Sequence, residues 1–251
     1  MSGHNKWSKI KHTKGKADAA KGALWTKLIR EITVAVRQGG ADPTGNFRLR
    51  KAIDEAKANS MPKDNIERAI RKGTGEEAGE SLEELVYEGY GPSGVAVLVE
   101  VTTDNRNRTA SEIRSTFTKT GGSMAASGAV AWQFSKKAFF SFEKKNGVNE
   151  DKVMEVALEA GAEDVMDSGD TIDVKAEPSL YGPLKDAFEK AGLKAVTADI
   201  TQIPQSTVKI TGHDAATMLK LMERLEESDD VQKVHANFDI DPAEMEQLAS
   251  G

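Results

Sequence analysis

Residues 73–80 read Gly-Thr-Gly-Glu-Glu-Ala-Gly-Glu, and two properties of the chain change across them. Before this segment apolar residues recur at helical spacing; after it they come in short β-branched runs between turn residues. The charge inverts as well. Residues 1–75 hold 11 Lys and 6 Arg against 7 acidic residues, a net of +10, whereas the remainder carries −16, so the total of −6 is a sum of opposite parts. A domain boundary falls at this break. With 251 residues, and roughly 100–200 residues per domain, the chain holds two or three domains.

The basic side reads as an arm and a bundle. Residues 1–15 set lysines, two histidines and Trp7 among Gly, Ser, Asn and Thr without an apolar period, as a mobile basic arm does. From Lys16 to Gly39-Gly40, Leu24, Trp25, Leu28, Ile29, Ile32 and Val36 form one helical stripe, with Lys16, Lys27, Arg30 and Arg37 on the opposite, outward side. A second helix is expected over 46–59, with Leu49, Ala52, Ile53 and Ala56 inward. A third begins near Pro62 and stops at Gly73, with Arg68, Arg71 and Lys72 opposite Ile66 and Ile70. Three short-linked helices make a small bundle.

On the acidic side, residues 85–90 and 95–102 read as a hairpin around Gly91-Pro92-Ser93-Gly94. Thr109 with Glu112 three residues on is a capping box that opens the next helix, and a strand is expected near 129–134. Strand 138–143, helix 150–160, strands 164–166 and 171–175, helix 179–191 and strand 195–203 then follow the βαββαβ order of a ferredoxin-like domain. A strand at 207–211, a helix at 214–226 and a strand at 231–238 complete the pattern. The fold class expected is α+β multidomain: an N-terminal three-helix bundle followed by two α/β domains, one of them ferredoxin-like. The domains fall at 1–15, 16–79, 80–135 joined with 205–242, and 136–204 as an insertion; a plain sequential order is the alternative.

Several function classes drop out. The chain has no cysteine, which removes disulfides, thiolate nucleophiles and Cys-based metal sites. No run approaches the ~20 apolar residues of a membrane span, and no apolar stretch follows the basic start, so a cytoplasmic protein with no membrane partner is expected. The glycines at 89–94 precede a β-branched run rather than a helix N-terminus, which suits a hairpin and not a phosphate cradle. His4, His12, His213 and His235 have no metal-ligand spacing. The acidic run Glu226-Glu227 and Asp229-Asp230 reads as a solvated helix end. No nucleophile, base or cofactor motif stands out, so the expectation is a non-enzymatic protein with no cofactor and no metal.

The basic head carries the strongest signal. Lys6, Trp7, Lys9, Lys11, His12, Lys14 and Lys16 in the arm, with Lys27, Arg30, Arg37, Arg68, Arg71 and Lys72 on the helices, supply phosphate neutralisation and one stacking ring. A net of +10 on one small domain is self-repulsive without an anionic partner. A second candidate is the strand-to-helix loop with Asn105, Arg106 and Arg108, which suits a phosphate or carboxylate partner and equally suits capping and interdomain ion pairing.

Several strings add a resemblance. Gly3-His4-Asn5-Lys6-Trp7, Trp25-Thr26-Lys27-Leu28-Ile29-Arg30, Met61-Pro62-Lys63-Asp64-Asn65-Ile66-Glu67-Arg68, Tyr87-Glu88-Gly89-Tyr90-Gly91-Pro92, Thr103-Asp104-Asn105-Arg106-Asn107-Arg108-Thr109 and Leu225-Glu226-Glu227-Ser228-Asp229-Asp230 occur in order over nearly the whole chain. On them the sequence resembles the YebC/PmpR family. It departs at Asn5, where Ser is expected, at Ser93, where Gly is usual, and at Met124-Ala125-Ala126. The resemblance implies a helical N-terminal domain, two α/β domains and a cytoplasmic DNA-binding transcriptional regulator. It also implies a competing role as a translation factor that binds ribosomal RNA and ribosomal proteins and relieves stalled elongation. Both roles use phosphate-rich partners, and neither fixes the oligomeric state.

Overall fold

The computed structural model describes residues 17–79 and 81–250. The head consists of α1 (Ala17–Gly39), α2 (Phe47–Ala58) and α3 (Lys63–Thr74). Leu28, Ile32, Val36, Leu49, Ala52, Ile53, Ala56, Ile66 and Ala69 bury together, as the helical spacing requires. Asn46 ends one helix and starts the next: its amide donates to Ala35 O at 2.7 Å and Gly40 O at 2.8 Å, while its oxygen accepts from Leu49 N at 3.0 Å as the cap of α2. The third helix does not stop at Gly73. It runs to Thr74, and Gly75, with φ of 84°, makes the left-handed exit. Gly73 lies instead where α3 crosses α1, and a Cβ there would stand 2.6 Å from Val36 Cβ and 2.9 Å from Thr33 O.

Beyond the glycine-rich segment, β1 (Glu83–Tyr90) and β2 (Ala96–Thr103) pair as an antiparallel hairpin. Ser93 sits in its turn with φ of 56°, the backbone region that suits the glycine usual there. Its hydroxyl bonds to Asp214, a contact glycine lacks. Helix α4 (Arg106–Lys119) begins three residues before the expected Thr109, because Asn105 is its cap and accepts from Arg108 N at 3.1 Å. Thr109 is buried in the first turn, where its hydroxyl meets Asp230 Oδ2 at 2.5 Å and Thr103 Oγ1 at 2.9 Å.

The short β3 (Ser123–Ala125) joins the free side of β1. Of the strand expected near 129–134, residues 129–133 are a loop and a short 3-10 turn, and only Phe134 is in a strand, as the first residue of the next one. The buried Glu88 carboxylate accepts the N–H groups of Gly128, Val130 and Ala131 at 2.6, 2.7 and 2.8 Å, donors that a strand would give to a neighbour.

The ferredoxin-like unit comprises β4 (Phe134–Glu143), α5 (Glu150–Glu159), β5 (Asp164–Asp167), β6 (Thr171–Ala176), α6 (Tyr181–Lys190) and β7 (Thr197–Pro204). Its sheet order is β5-β6-β4-β7, antiparallel throughout. Phe140, Phe142, Val153, Ala157, Leu184 and Phe188 form the core between that sheet and its two helices.

The chain then runs through β8 (Val208–Lys209), α7 (Gly212–Glu226), β9 (Val231–Ala236), β10 (Phe238–Asp239) and α8 (Pro242–Ser250), the last not anticipated from sequence. Strand β9 pairs with β2, giving a sheet of order β3-β1-β2-β9 that combines strands from before and after the ferredoxin-like unit. Helices α4 and α7 cover one face through Ile113, Phe117, Met218, Met222 and Leu225. The expected strand at 231–238 breaks at Asn237, whose side-chain oxygen takes the Ala96 N–H at 2.8 Å. No helix among the described residues is long and apolar enough to cross a membrane.

Candidate nucleic-acid interface

The arm residues Lys6, Trp7, Lys9, Lys11, His12, Lys14 and Lys16 lie outside the described residues. The candidates on the helices separate into two groups.

Lys27 and Arg30 do not face solvent as the helical wheel suggests. Lys27 Nζ donates to Glu226 O at 2.6 Å, at the end of α7 where the helix dipole gathers negative charge. The Arg30 guanidinium reaches Asp230 Oδ1 at 2.6 Å, Asp229 O at 2.7 Å and Thr102 O at 3.3 Å. Its side chain is only 15% exposed. The reason is tertiary: α1 packs on the core of the head with its apolar stripe, and its opposite side lies on the turn after α7.

The second group sits at the helix ends. Arg37 is in the last turn of α1, and Arg71 and Lys72 are in the last turn of α3, where cations offset the helix dipoles. Residue Gly79 passes between two of them, since a Cβ on it would lie 3.5 Å from Lys72 Cβ and 3.7 Å from Arg37 Nη2. Arg71 Nε donates to Glu77 Oε1 at 2.6 Å, and this contact lowers the Glu77 carboxyl below its usual range. Arg68 is exposed on the outer side of α3 and Lys72 half-exposed; neither forms an ion pair among the described residues. These two are the cations of α3 left open to an outside anion.

Asp230, read from sequence as part of a solvated helix end, is buried. Its carboxylate receives Arg30, Arg108 Nη2 at 2.9 Å, Thr109 Oγ1 at 2.5 Å and Thr103 Oγ1 at 3.2 Å. Burial pushes its carboxyl up, but these donors outweigh that and hold it below the ordinary value. Of the loop candidates, Asn105 caps α4, Arg106 is exposed while its carbonyl accepts from the Tyr87 hydroxyl at 3.2 Å, and Arg108 also pairs with Asp104 at 2.7 Å. Beside them runs an open polar groove of about 860 Å³ between α4 and the end of α7, which Arg30 borders.

Sequence reasoning missed two residues of the head, Arg48 and Lys51, at the contact between the parts of the molecule. Arg48 on α2 grips Glu31 through Nε at 2.7 Å and Nη2 at 2.8 Å, and reaches Glu84 of β1 at 2.5 Å. Lys51 of α2 pairs with Asp199 of β7. Both are ordinary surface letters in the sequence, and their partners in the body are 36 and 148 residues away, beyond any local signal.

Residues 5–76 match the family model described as the TACO1/YebC protein N-terminal domain, and residues 82–238 match the TACO1/YebC second and third domain. A probable transcriptional regulatory protein of Geobacter sulfurreducens is 58% identical over 248 residues, covering 99% of this chain and 100% of that protein. One from Syntrophus aciditrophicus is 52% identical over the full length of both. The crystal structure of a conserved hypothetical protein from Aquifex aeolicus superposes with a TM-score of 0.80 at 49% identity, covering 91% of this chain and 94% of that one. Two domain matches in the same order as the helical head and the sheet-bearing body, with relatives aligned end to end, establish that the chain belongs to the TACO1/YebC family.

Proposed function

We propose that this chain is a non-enzymatic, cytoplasmic regulatory protein that binds DNA phosphates through its basic head. The observation that carries the reading is the pair of open cations on α3, Arg68 and Lys72, on a segment whose +10 charge calls for an anionic partner. The naming of the relatives as probable transcriptional regulatory proteins supports it. The division of labour follows the domain limits proposed from sequence: arm and bundle over 1–79 bind, and the body, 80–135 with 205–242 around an inserted 136–204, holds and orients them.

A second reading has its own support. Helices α2 and α3 pack chiefly on α1 and only slightly on each other, unlike the two helices of a helix-turn-helix. Recognition led by phosphates rather than base edges fits ribosomal RNA as well as a promoter, and makes a ribosome-bound translation factor the alternative. Crosslinking the protein to nucleic acid in cells and sequencing what is attached separates the two. Promoter fragments are the expected result, ribosomal RNA moves the conclusion to the second reading, and no enrichment of either overturns both.

A further inference from the structure

Two of the head's cations are already bound to groups that resemble a phosphate. Lys27 donates to a helix-end carbonyl, and Arg30 to one carboxylate oxygen and two carbonyls, all of them supplied by the body. We propose that the turn at residues 226–230 is an internal phosphate mimic, and that nucleic acid binding to α1 competes with it and releases the head from the body. The proposal rests on the reading of the head as a nucleic-acid binder.

The chemistry at Asp230 makes the clasp releasable. If Arg30 leaves, the carboxylate keeps Arg108, Thr109 and Thr103, so it is not stranded as an unpaired buried charge. Arg30 gives up two carbonyls and one carboxylate oxygen, and a phosphodiester offers it two anionic oxygens in a geometry that suits the guanidinium fork. The other contacts between head and body include the ion pairs of Arg48 with Glu84 and of Lys51 with Asp199, the Gln38 bond to Glu84, and the Phe47 ring on Tyr181 with centroids 5.1 Å apart. Release therefore costs polar contacts and the packing of the single Phe47 ring on the ferredoxin-like core, and a polyanion replaces the bonds made by Arg30.

The absence of cysteine allows a direct test on the full chain. Dyes on cysteines introduced as D64C in α3 and T118C in α4 report head-to-body distance by energy transfer. A 20-base-pair DNA duplex and a single-stranded RNA of equal length serve as probes. Transfer is expected to fall on saturation with either polymer. D230N is expected to tighten binding about threefold to tenfold, and R30Q to lower the salt dependence of the binding constant by about one unit of slope, as loss of one phosphate contact does. Saturated binding with unchanged transfer and an unchanged R30Q slope overturns the clasp while leaving the head as the binding domain. Failure of both polymers to bind at low salt overturns that reading and the clasp with it.

Discussion

Lys233 of β9 donates to Asp199 Oδ2 at 2.6 Å, and the other oxygen of the same carboxylate is taken by Lys51 of α2. The three residues come from the split sheet, the ferredoxin-like sheet and the helical head, so one carboxylate joins all three parts. Burial pushes the Asp199 carboxyl up, and the two ammonium groups more than reverse this, holding it at about 2 against an ordinary 3.8.

Because the folded value is depressed, the contribution is fully present above pH ~4 and is lost as the pH falls through about 2. Its size at neutral pH is about 2 kcal/mol. Asp199→Asn leaves two ammonium groups facing each other and is expected to lower unfolding stability by that order in urea at pH 7. The difference from the parent should vanish near pH 2, and an added K233M should restore part of the loss, since the pair then no longer repels.

Gly73→Ala sets two effects against each other. Alanine favours the helix by about 1 kcal/mol, but here the new methyl meets a branched Val36 Cβ and a backbone oxygen, neither of which moves cheaply. Overpacking of that kind costs about 1–3 kcal/mol, so the net effect is a loss, read as a lower urea midpoint. Gly22→Ala, in the same bundle with nothing within 4 Å of its added methyl, should show the helix gain alone.

Glu88 holds the loop before β4 with three charge-assisted hydrogen bonds. Burial pushes its carboxyl up, and the three N–H donors hold it below 4.5, so the anchor is intact above that pH and weakens as the pH falls below it. Glu88→Gln turns an amide NH₂ toward one set of backbone donors. A loss of about 1–3 kcal/mol is expected. Hydrogen exchange should accelerate at Gly128, Val130 and Ala131 before it does elsewhere in the sheet.

The parts of the fold legible in the sequence are those set by neighbours in the chain. Ile32, Leu49 and Ile66 betray their burial by spacing, and the split-βαβ order is readable because each element carries its own period and turn. Local rules failed where a distant residue competed for the same group. Thr109 looked like a cap until Asp230 drew its hydroxyl inward, residues 129–134 looked like a strand until Glu88 took their donors, and Gly73 looked like a stop until α1 came to lie against it. The basic head was visible as a charge sum. Which of its cations remain open was not, because Arg30 and Asp230 are 200 residues apart.

The split among those cations gives the most direct test of function. Arg68 and Lys72 form no ion pair among the described residues, so their removal should leave the fold intact, whereas Arg71 is engaged with Glu77. If the outer side of α3 meets phosphates, each open cation releases about 0.9 counterion on binding a duplex. An R68A/K72A variant is therefore expected to lower the slope of log K against log salt by about 2 and to weaken binding alike for all sequences, with an unchanged urea midpoint. R71A should change the slope less, because its charge is offset by the neighbouring carboxylate. An unaltered slope in R68A/K72A would remove α3 from the interface, and a loss of affinity confined to one DNA sequence would mean that these side chains read bases.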